Sequence, residues 1–235
     1  MPSLATGEVR YFQDKLKVIV SPKAQQEKPE LLVWSGVHGD EDESIPPLWL
    51  VLSEYQALLP AFLFIPAMSP SAIKAHTRRM FIGEELGPDM NRSFDLNPAP
   101  RETQLVKDFL QQHGPFERIL SVHEDEDLTD HTYVYFEGEP VLRQTLQDWR
   151  DAVRLSGHQL HNGYDDPYDP TLAMWSSDGH IHHAHSDETT QMSESWAIAN
   201  KRAHQAITLE VPMQGSPETK YQLIKAALKL VMIGS

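Results

Sequence analysis

Three short polar motifs in this sequence follow apolar runs, and their side chains are of types that bind metal ions. The first is His38-Gly39-Asp40-Glu41, a turn that comes after the apolar run Leu31–Trp34. An imidazole and a carboxylate three residues apart in such a turn can bind one ion, because the ring nitrogen gives a directional bond and the carboxylate neutralises charge. This spacing also occurs by chance, and Asp40 or Glu41 could instead cap the helix that follows.

The other two motifs are single residues at the ends of predicted strands. The run Ile119–Val122 ends on His123, and the run Ala206–Leu209 ends on Glu210. With His38 and Glu41, His123 could complete three ligands, which would leave the fourth position of a zinc ion open for water. Glu210 is the expected base for that water and the later proton donor to a leaving amine. The alternative for Glu210 is a solvated glutamate at a strand end.

A fourth group of residues could bind the negative charges of a substrate and of its transition state. It lies in the segments Ala75–Arg79 and Gly87–Phe94. A developing oxyanion is stabilised by a fixed cation, which suits Arg78, and a substrate carboxylate binds a planar fork of donors, which suits Asn91 and Arg92. The alternative for each arginine is a surface ion pair.

Alternating and periodic apolar residues predict the elements that must position these side chains. The predicted strands are Leu16–Val20, Leu31–Ser35, Phe62–Ala67, Ile119–His123, Tyr133–Phe136 and Ala206–Val211. The predicted helices are Ser44–Leu59, Arg101–His113, Pro140–Leu160 and Pro217–Ile233. The alternation of strands with helices indicates a three-layer α/β/α domain with a central mixed sheet. In such sheets, sites form where strands end and loops begin, which is where the polar motifs occur.

The segment from Gly163 to Ser195 is polar and shows no period that would bury it, so we expect a long loop. Its histidine run, from His180 to His185, could hold a second metal ion, although such runs more often bind metal adventitiously. The run could instead line a specificity pocket. The acidic residues that could then bind a cationic side chain are Asp178, Asp187 and Glu188.

An acidic cluster, Glu124-Asp125-Glu126-Asp127, directly follows His123. A carboxylate from it could orient His123 through the second ring nitrogen. A solvated acidic turn is the expectation for at least two of the four residues.

The composition bounds the class of protein. With 235 residues, 40% of them hydrophobic, the chain can form one sizeable α/β core, and we expect a single domain over residues 1–235. The absence of cysteine excludes thiolate ligands, so a metal must be held by His, Asp and Glu. A formal charge of −14 argues against nucleic-acid or anionic-membrane partners. The N-terminus has no basic and apolar leader pattern, and no apolar run is long enough to span a bilayer, so we expect a cytoplasmic protein.

Together the motifs resemble those of the zinc carboxypeptidase superfamily, which includes the aspartoacylase and succinylglutamate desuccinylase branch. By this resemblance, His38 and Glu41 match the family's His-x-x-Glu ligands, His123 matches its third ligand and Glu210 its catalytic glutamate. The resemblance runs from about Leu31 to about Val211. It implies a zinc carboxypeptidase-like fold with one zinc ion per chain.

The same resemblance extends to the substrate-binding residues. Asn91 and Arg92 match the family's Asn-Arg pair for the substrate carboxylate. The stretch Ser69–Arg78 is similar to the segment that carries the family's oxyanion-stabilising arginine, which favours Arg78 over Arg79.

The sequence departs from digestive-type carboxypeptidases in two respects. These usually carry a mobile tyrosine upstream of the catalytic glutamate, but no tyrosine lies between Tyr168 and Glu210, and only Tyr164 or Tyr168 could take its place. The chain is also short, which suits a shallow pocket. We therefore expect a metallocarboxypeptidase that removes the C-terminal residue of a short or modified peptide. The alternatives are an N-acyl amino acid amidohydrolase and a non-catalytic module that binds a peptide C-terminus.

Overall fold

The structure, a computed structural model, describes residues 7–165, 174–182 and 191–232. The strands in this part of the chain are β1 Glu8–Phe12, β2 Leu16–Val20, β3 Leu31–Ser35, β4 Phe62–Ile65, β5 Arg79–Ile82, β6 Glu85–Asp89, β7 Phe116–Asp125, β8 His131–Gly138, β9 Gln159–Leu160, β10 Gly163–Tyr164, β11 Trp175–Ser176, β12 His180–His182 and β13 Ala203–Pro212. The α-helices are α1 Ile45–Tyr55, α2 Pro70–Ala75, α3 Arg101–His113, α4 Arg143–Leu155, α5 Ser193–Ala199 and α6 Pro217–Val231.

The main sheet is mixed, as the sequence predicted. Its strands follow the order β1-β2-β4-β3-β7-β13-β8-β12, with β9 beside β8. The central strands β4, β3, β7 and β13 are mutually parallel neighbours, whereas β2 joins β4 and β8 joins β13 in antiparallel pairs. A mixed order of this kind is common in large α/β sheets.

Apolar side chains cover both faces of this sheet. In β3 every residue is buried: Leu31 and Val33 pack on one face with α1, α4 and α6, and Leu32 and Trp34 pack on the other with α3 and α5. Because successive side chains of a strand point to opposite faces, a strand covered on both sides must be apolar throughout. This arrangement makes the three-layer α/β/α architecture.

The predicted elements are confirmed, with shifts at their ends. The strands around His123 and Glu210 are longer than predicted, since β7 and β13 have ten residues each. The predicted helix 140–160 ends at Leu155, because Gly157 adopts a positive φ of 84° and the chain re-enters the sheet as β9. Three further features, β1, α2 and the β5–β6 hairpin, were not predicted, because they are short elements with weak periodicity.

The segment 163–195, which was expected to be a long loop, contains short elements in the part that the structure describes. Its described residues form the hairpin β10–β11, the strand β12, which pairs in parallel with β8, and the first residues of α5. These strands have two or three residues each, too few for a period to show in the sequence.

A buried ion pair ties α6 to the sheet. The Lys220 side chain is 1% exposed, and its Nζ donates to Glu124 Oε2 at 2.5 Å and to Glu43 Oε2 at 2.9 Å. The other Glu124 oxygen accepts from the Ser44 backbone N–H at the start of α1, at 2.6 Å. Burial raises the pKa of Glu124, and Lys220 and Ser44 oppose that shift.

Among the described residues, no helix is long and apolar enough to cross a membrane.

We expect Lys220→Met to lower the free energy of unfolding by about 3–5 kcal/mol, because it leaves the Glu124 carboxylate buried without its cation. Urea denaturation followed by circular dichroism measures this. The matched control is Lys229→Met, which changes an exposed lysine of the same helix and should have little effect. Equal midpoints for the two variants would contradict a structural role for the pair.

Candidate metal centre

The polar motifs meet because three parallel strands end at one edge of the sheet. In the pairing of β3 with β7, Ser35 lies opposite Val122, so the turn after β3 begins beside His123. In the pairing of β7 with β13, His123 lies directly opposite Glu210. Residues far apart in sequence are thereby placed at one strand-end crevice, the usual location of sites in α/β sheets.

Glycine allows the turn after β3 to pack closely against α2. Gly36 adopts a positive φ of 64°, and its carbonyl accepts from the Ser69 N–H at 2.9 Å. A Cβ at Gly39 would lie 2.0 Å from the Ala72 carbonyl carbon, so only glycine fits there. This packing fixes the backbone on both sides of His38.

His38, Glu41 and His123 form one buried cluster. The His38 Nδ1 lies 2.6 Å from Glu41 Oε1, and the His123 Nδ1 lies 2.9 Å from Glu41 Oε2. One ligand atom from each residue lies within 4.8 Å of the others, and all three side chains are buried. Glu41 does not cap α1, since the backbone N–H of Ser44, the residue before this helix, donates to Glu124 instead. The group could hold a metal ion, since two imidazoles and a carboxylate are a common set of divalent-metal ligands.

The electrostatics of the cluster favour a cation between these side chains. Burial alone would raise the pKa of Glu41, but His123 and His38 outweigh burial and hold it far below its ordinary value. Burial alone would lower the pKa of His123, but Glu41, Glu194 and Glu210 raise it well above its ordinary value. The carboxylates around His123 therefore favour a positive charge at this position.

The second ring nitrogen of each histidine faces a carboxylate. The His38 Nε2 lies 3.1 Å from Asp89 Oδ1, and the His123 Nε2 lies 3.8 Å from Glu194 Oε1. His38 and Arg78 outweigh the effect of burial and lower the pKa of Asp89 to about 2. Carboxylates in this position orient metal-binding imidazoles.

Neither carboxylate had a predicted role. A partner for His123 was expected among Glu124–Asp127, but Glu124 is bound by Lys220 and the Asp125 carboxylate accepts from the Tyr133 hydroxyl at 2.7 Å. The sequence offered one signal for the role of Asp89, which is its place two residues before Asn91. It offered no such signal for Glu194, because Glu194 lies in the segment that was expected to be a loop.

Glu194 is itself held by several donors. Its Oε1 accepts from Trp34 Nε1 at 3.2 Å, and its Oε2 accepts from Ser193 Oγ at 2.7 Å. Burial raises its pKa, but His123, Ser121 and Ser193 outweigh burial and lower the pKa to about 2. Glu194 is therefore charged when it faces His123.

Glu210 lies beside the cluster on β13. Its neighbours in register are His123 on β7 and Tyr133 on β8. Burial raises the pKa of Glu210 well above its ordinary value, Glu41 and Asp125 add to the rise, and His123 and Arg78 oppose it. A carboxyl group with a raised pKa can take up and release a proton near neutral pH.

Arg78 also reaches the cluster. Its Nε donates to Asp89 Oδ2 at 3.1 Å, its Nη1 lies 3.4 Å from Glu41 Oε1, and half of its side chain is exposed. The Arg79 Nε instead donates to the Gly87 carbonyl within the β5–β6 hairpin, at 2.7 Å.

Asn91 and Arg92 lie in a single 3₁₀ turn, Met90–Arg92, after β6. Asn91 is buried, and its Oδ1 accepts from the Ser193 N–H and hydroxyl at 3.0 and 3.1 Å. Arg92 is exposed, and its guanidinium donates to the Asn91 carbonyl at 2.8 Å. The amide orientation of Asn91 is therefore fixed by α5.

All seven residues singled out in the sequence line one cavity of about 430 Å³. They are His38, Glu41, Arg78, Asn91, Arg92, His123 and Glu210. Asp125, Glu126, Asp127, Tyr133, Tyr135, Glu137, Met192, Glu194 and Thr208 also line it. The volume suits a small ligand.

Other candidates from the sequence lie elsewhere. Asp178 forms ion pairs with Arg150 and Arg154 on α4, so it is not a wall of this cavity. Tyr164 packs edge-on against Trp175. His183, His185, Asp187, Glu188 and Tyr168 lie outside the described residues, so the second metal site and the tyrosine that would close over a substrate stay predictions.

No family model and no curated protein matches the sequence. Solved structures do match the fold. A candidate metallopeptidase from Shewanella baltica OS155 is 23% identical, with a TM-score of 0.69 over 95% of this chain and 82% of that one. A metallo-carboxypeptidase from Pseudomonas aeruginosa, in complex with (2-guanidinoethylmercapto)succinic acid, is 18% identical, with a TM-score of 0.62 over 97% of this chain and 63% of that one.

A third structure of the same fold is the murein-tripeptide amidase MpaA from Escherichia coli O157. It is 18% identical, with a TM-score of 0.59 over 94% of this chain and 88% of that one. At these identities the likeness concerns the fold. This chain has the zinc carboxypeptidase-like α/β fold that the motifs predicted.

Proposed function

We propose that this protein is a zinc-dependent amide hydrolase of metallocarboxypeptidase type, which removes the C-terminal residue of a short or modified peptide. The observation that supports this most is the meeting of His38, Glu41 and His123 with Glu210 at one edge of the sheet. Metal ligands without a nearby base would suit a structural metal site. A glutamate without metal ligands would suit neither a structural nor a catalytic metal site. On this proposal the 235 residues act as one catalytic domain.

The donor set fits zinc. Two imidazoles and one carboxylate form a three-ligand catalytic site with a position left for water or substrate. A bound zinc ion would supply Lewis acidity, which polarises a substrate carbonyl and lowers the pKa of water to about 7. His38, Glu41 and His123 would hold the ion, and Asp89 and Glu194 would keep the imidazole rings oriented.

Glu210 would move the protons of the reaction. Its carboxylate would accept a proton from the attacking water and then deliver it to the leaving nitrogen. The position of Glu210 beside His123, together with its raised pKa, supports this role. Arg78, whose guanidinium is half exposed and lies at the cluster, would stabilise the developing oxyanion.

Asn91 and Arg92 would bind the free carboxylate of the substrate. They lie next to each other on one turn and line the same cavity as Glu210. Paired donors suit a carboxylate. The Pseudomonas aeruginosa neighbour is described with a ligand that is a succinic acid, so a protein of this fold binds a compound with carboxylates.

The size of the cavity supports a short substrate. The Escherichia coli neighbour is named as an amidase of a murein tripeptide, a small peptide substrate. The test is a screen of zinc-loaded protein against dipeptides, tripeptides and N-acyl amino acids, with release of free amino acid as the readout. Cleavage of N-acyl amino acids alone would favour the amidohydrolase alternative, and binding without turnover would favour a non-catalytic module.

We expect purified protein to contain about one zinc per chain by elemental analysis, and His123→Ala to lose most of it, because two ligands hold a divalent ion far more weakly than three. His204→Ala, which changes an exposed histidine, is the control. Full zinc content in His123→Ala would contradict the ligand assignment.

Glu210→Gln should keep its zinc and lose activity by about 100- to 10,000-fold, the range of general acid–base catalysis. The measurement is kcat on the best substrate of the screen, beside zinc content. Glu117→Gln makes the same change at an exposed position and should act like the unmodified protein. If Glu210→Gln loses zinc together with activity, Glu210 is a ligand and not the base.

Glu194→Gln should weaken zinc binding by about 10- to 100-fold, because the carboxylate that faces His123 Nε2 loses its charge. Competition with a chelator measures the affinity on folded protein. The amide can still accept from Trp34, so the fold should survive. An unchanged affinity would show that Glu194 serves α5 and not the metal ligand.

A further inference from the structure

Strand β1 forms one edge of the main sheet. Among the strands that the structure describes, it pairs with β2 alone, so its other side faces outward. The residues from Glu8 to Tyr11 are all exposed, and the apolar side chains of Val9 and Tyr11 are 50% and 59% exposed. An edge strand with open backbone groups and apolar side chains is a template for a further strand.

The structure holds β1 in place without such a strand. All five of its residues are in register with β2, from Glu8 opposite Val20 to Phe12 opposite Leu16. The Phe12 ring packs edge-on against Phe109 of α3, with 5.4 Å between the ring centroids. The edge is therefore preformed, and a strand that binds there does not have to order it.

The direction of the backbone groups of β1 follows from the turn that joins it to β2. The Phe12 carbonyl accepts from the Lys15 N–H at 3.1 Å, so the backbone groups of Phe12 point towards β2. Along an antiparallel strand, the N–H and C=O groups of successive residues point alternately to the two sides. Val9 and Tyr11, which are odd numbers of residues from Phe12, therefore direct these groups outward.

The charges of β1 are complementary to those of a second copy. Glu8 and Arg10 are exposed, and the Arg10 Nη2 donates to Glu8 Oε2 at 2.6 Å within the chain. If two β1 strands pair antiparallel with Val9 opposite Val9, each Glu8 lies opposite Arg10 of the other copy, and opposite charges in this position are stabilising. A pairing centred on Arg10 would place the two guanidinium groups opposite each other. Charge therefore selects the register centred on Val9.

The other pairs of this register fit as well. The outward groups of Val9 would form two hydrogen bonds with Val9 of the second copy. Tyr11 would lie opposite Gly7, and an aromatic ring packs well over a glycine on the neighbouring strand because the glycine has no side chain. Val9 and Tyr11 would thereby bury apolar surface that is exposed in the single chain.

We propose that two copies of this chain form a symmetric dimer through β1, with antiparallel strands, Val9 opposite Val9 and one continuous sheet through both copies. A two-fold contact of this kind closes on itself. Neighbouring strands lie about 4.8 Å apart and β1 is four strands from β7, so the contact lies about 19 Å from the strand of His123. No residue of β1 lines the cavity. The dimer is therefore independent of the proposed reaction.

The first test is analytical ultracentrifugation of the full chain over a range of concentrations. The unmodified protein should sediment as a dimer at about 100 μM. Val9→Pro should be monomeric, because it removes the N–H that forms the central pair of bonds, whereas β1 can still pair with β2 because a proline whose nitrogen faces outward is tolerated on an edge strand. Val9→Thr, which keeps the N–H and the branched side chain, is the matched control and should still dimerise.

The second test reverses the charges. Glu8→Arg and Arg10→Glu each place like charges opposite each other in the dimer, and each should raise its Kd by about 10- to 100-fold. An equimolar mixture of the two variants should dimerise again, because a chain with two acids then faces a chain with two bases. Mixing cannot repair the bond between Glu8 and Arg10 within one chain, so this rescue separates pairing from an effect on the fold.

A protein that is still monomeric at about 100 μM overturns the inference. A dimer that Val9→Pro leaves intact, or a loss of dimer that mixing the charge variants does not reverse, also overturns it. If circular dichroism shows that Val9→Pro does not fold, the charge variants decide.

The zinc content and turnover of the charge variants separate this inference from the proposed function. Both should equal those of the unmodified protein. A monomer that cleaves peptides would leave the reaction standing and refute the dimer. A dimer with the expected response to the charge variants but without turnover would leave the dimer standing and refute the reaction.

Discussion

The parallel pairing of β7 with its two neighbours is the constraint on which the rest of the site depends. β3 and β13 flank β7 and run in the same direction, so the residues that follow or end all three strands share one edge. The register of these two pairings decides whether the site forms, because a shift of one residue would turn His123 or Glu210 to the other face of the sheet. The apolar sequences of these strands hold that register, since both faces are covered.

Burial strengthens the interactions between the charges of the cluster, and it also makes these charges costly in free energy. Glu41 lies between two imidazoles in a region with little solvent, where charges interact more strongly than in water. Three nearby carboxylates have partners: Asp89 has His38 and Arg78, Glu194 has Trp34 and Ser193, and Glu124 has Lys220. The network therefore positions the histidines and at the same time offsets the cost of burying charge.

The sequence could predict the fold class and single out seven residues that line one cavity, because their signals are local. The strand Leu31–Ser35 and the helix Arg101–His113 were predicted with the bounds that the structure has. The carboxylates Asp89 and Glu194 could not be assigned roles, because both depend on contacts between distant parts of the chain. The distance from Glu194 to its partner His123 is 71 residues in sequence and 3.8 Å in space.

The sequence by itself determined which chemistry is available: no thiolate, two histidines and several carboxylates at strand ends, and apolar strands that require cover on both faces. Only the tertiary structure decided which carboxylates meet which histidines and which arginine of the pair 78–79 reaches the cavity. The reason is physical. Side-chain type and periodicity are properties of the local chain, whereas charge pairing and burial depend on strand order and register, which arise when distant segments pack together.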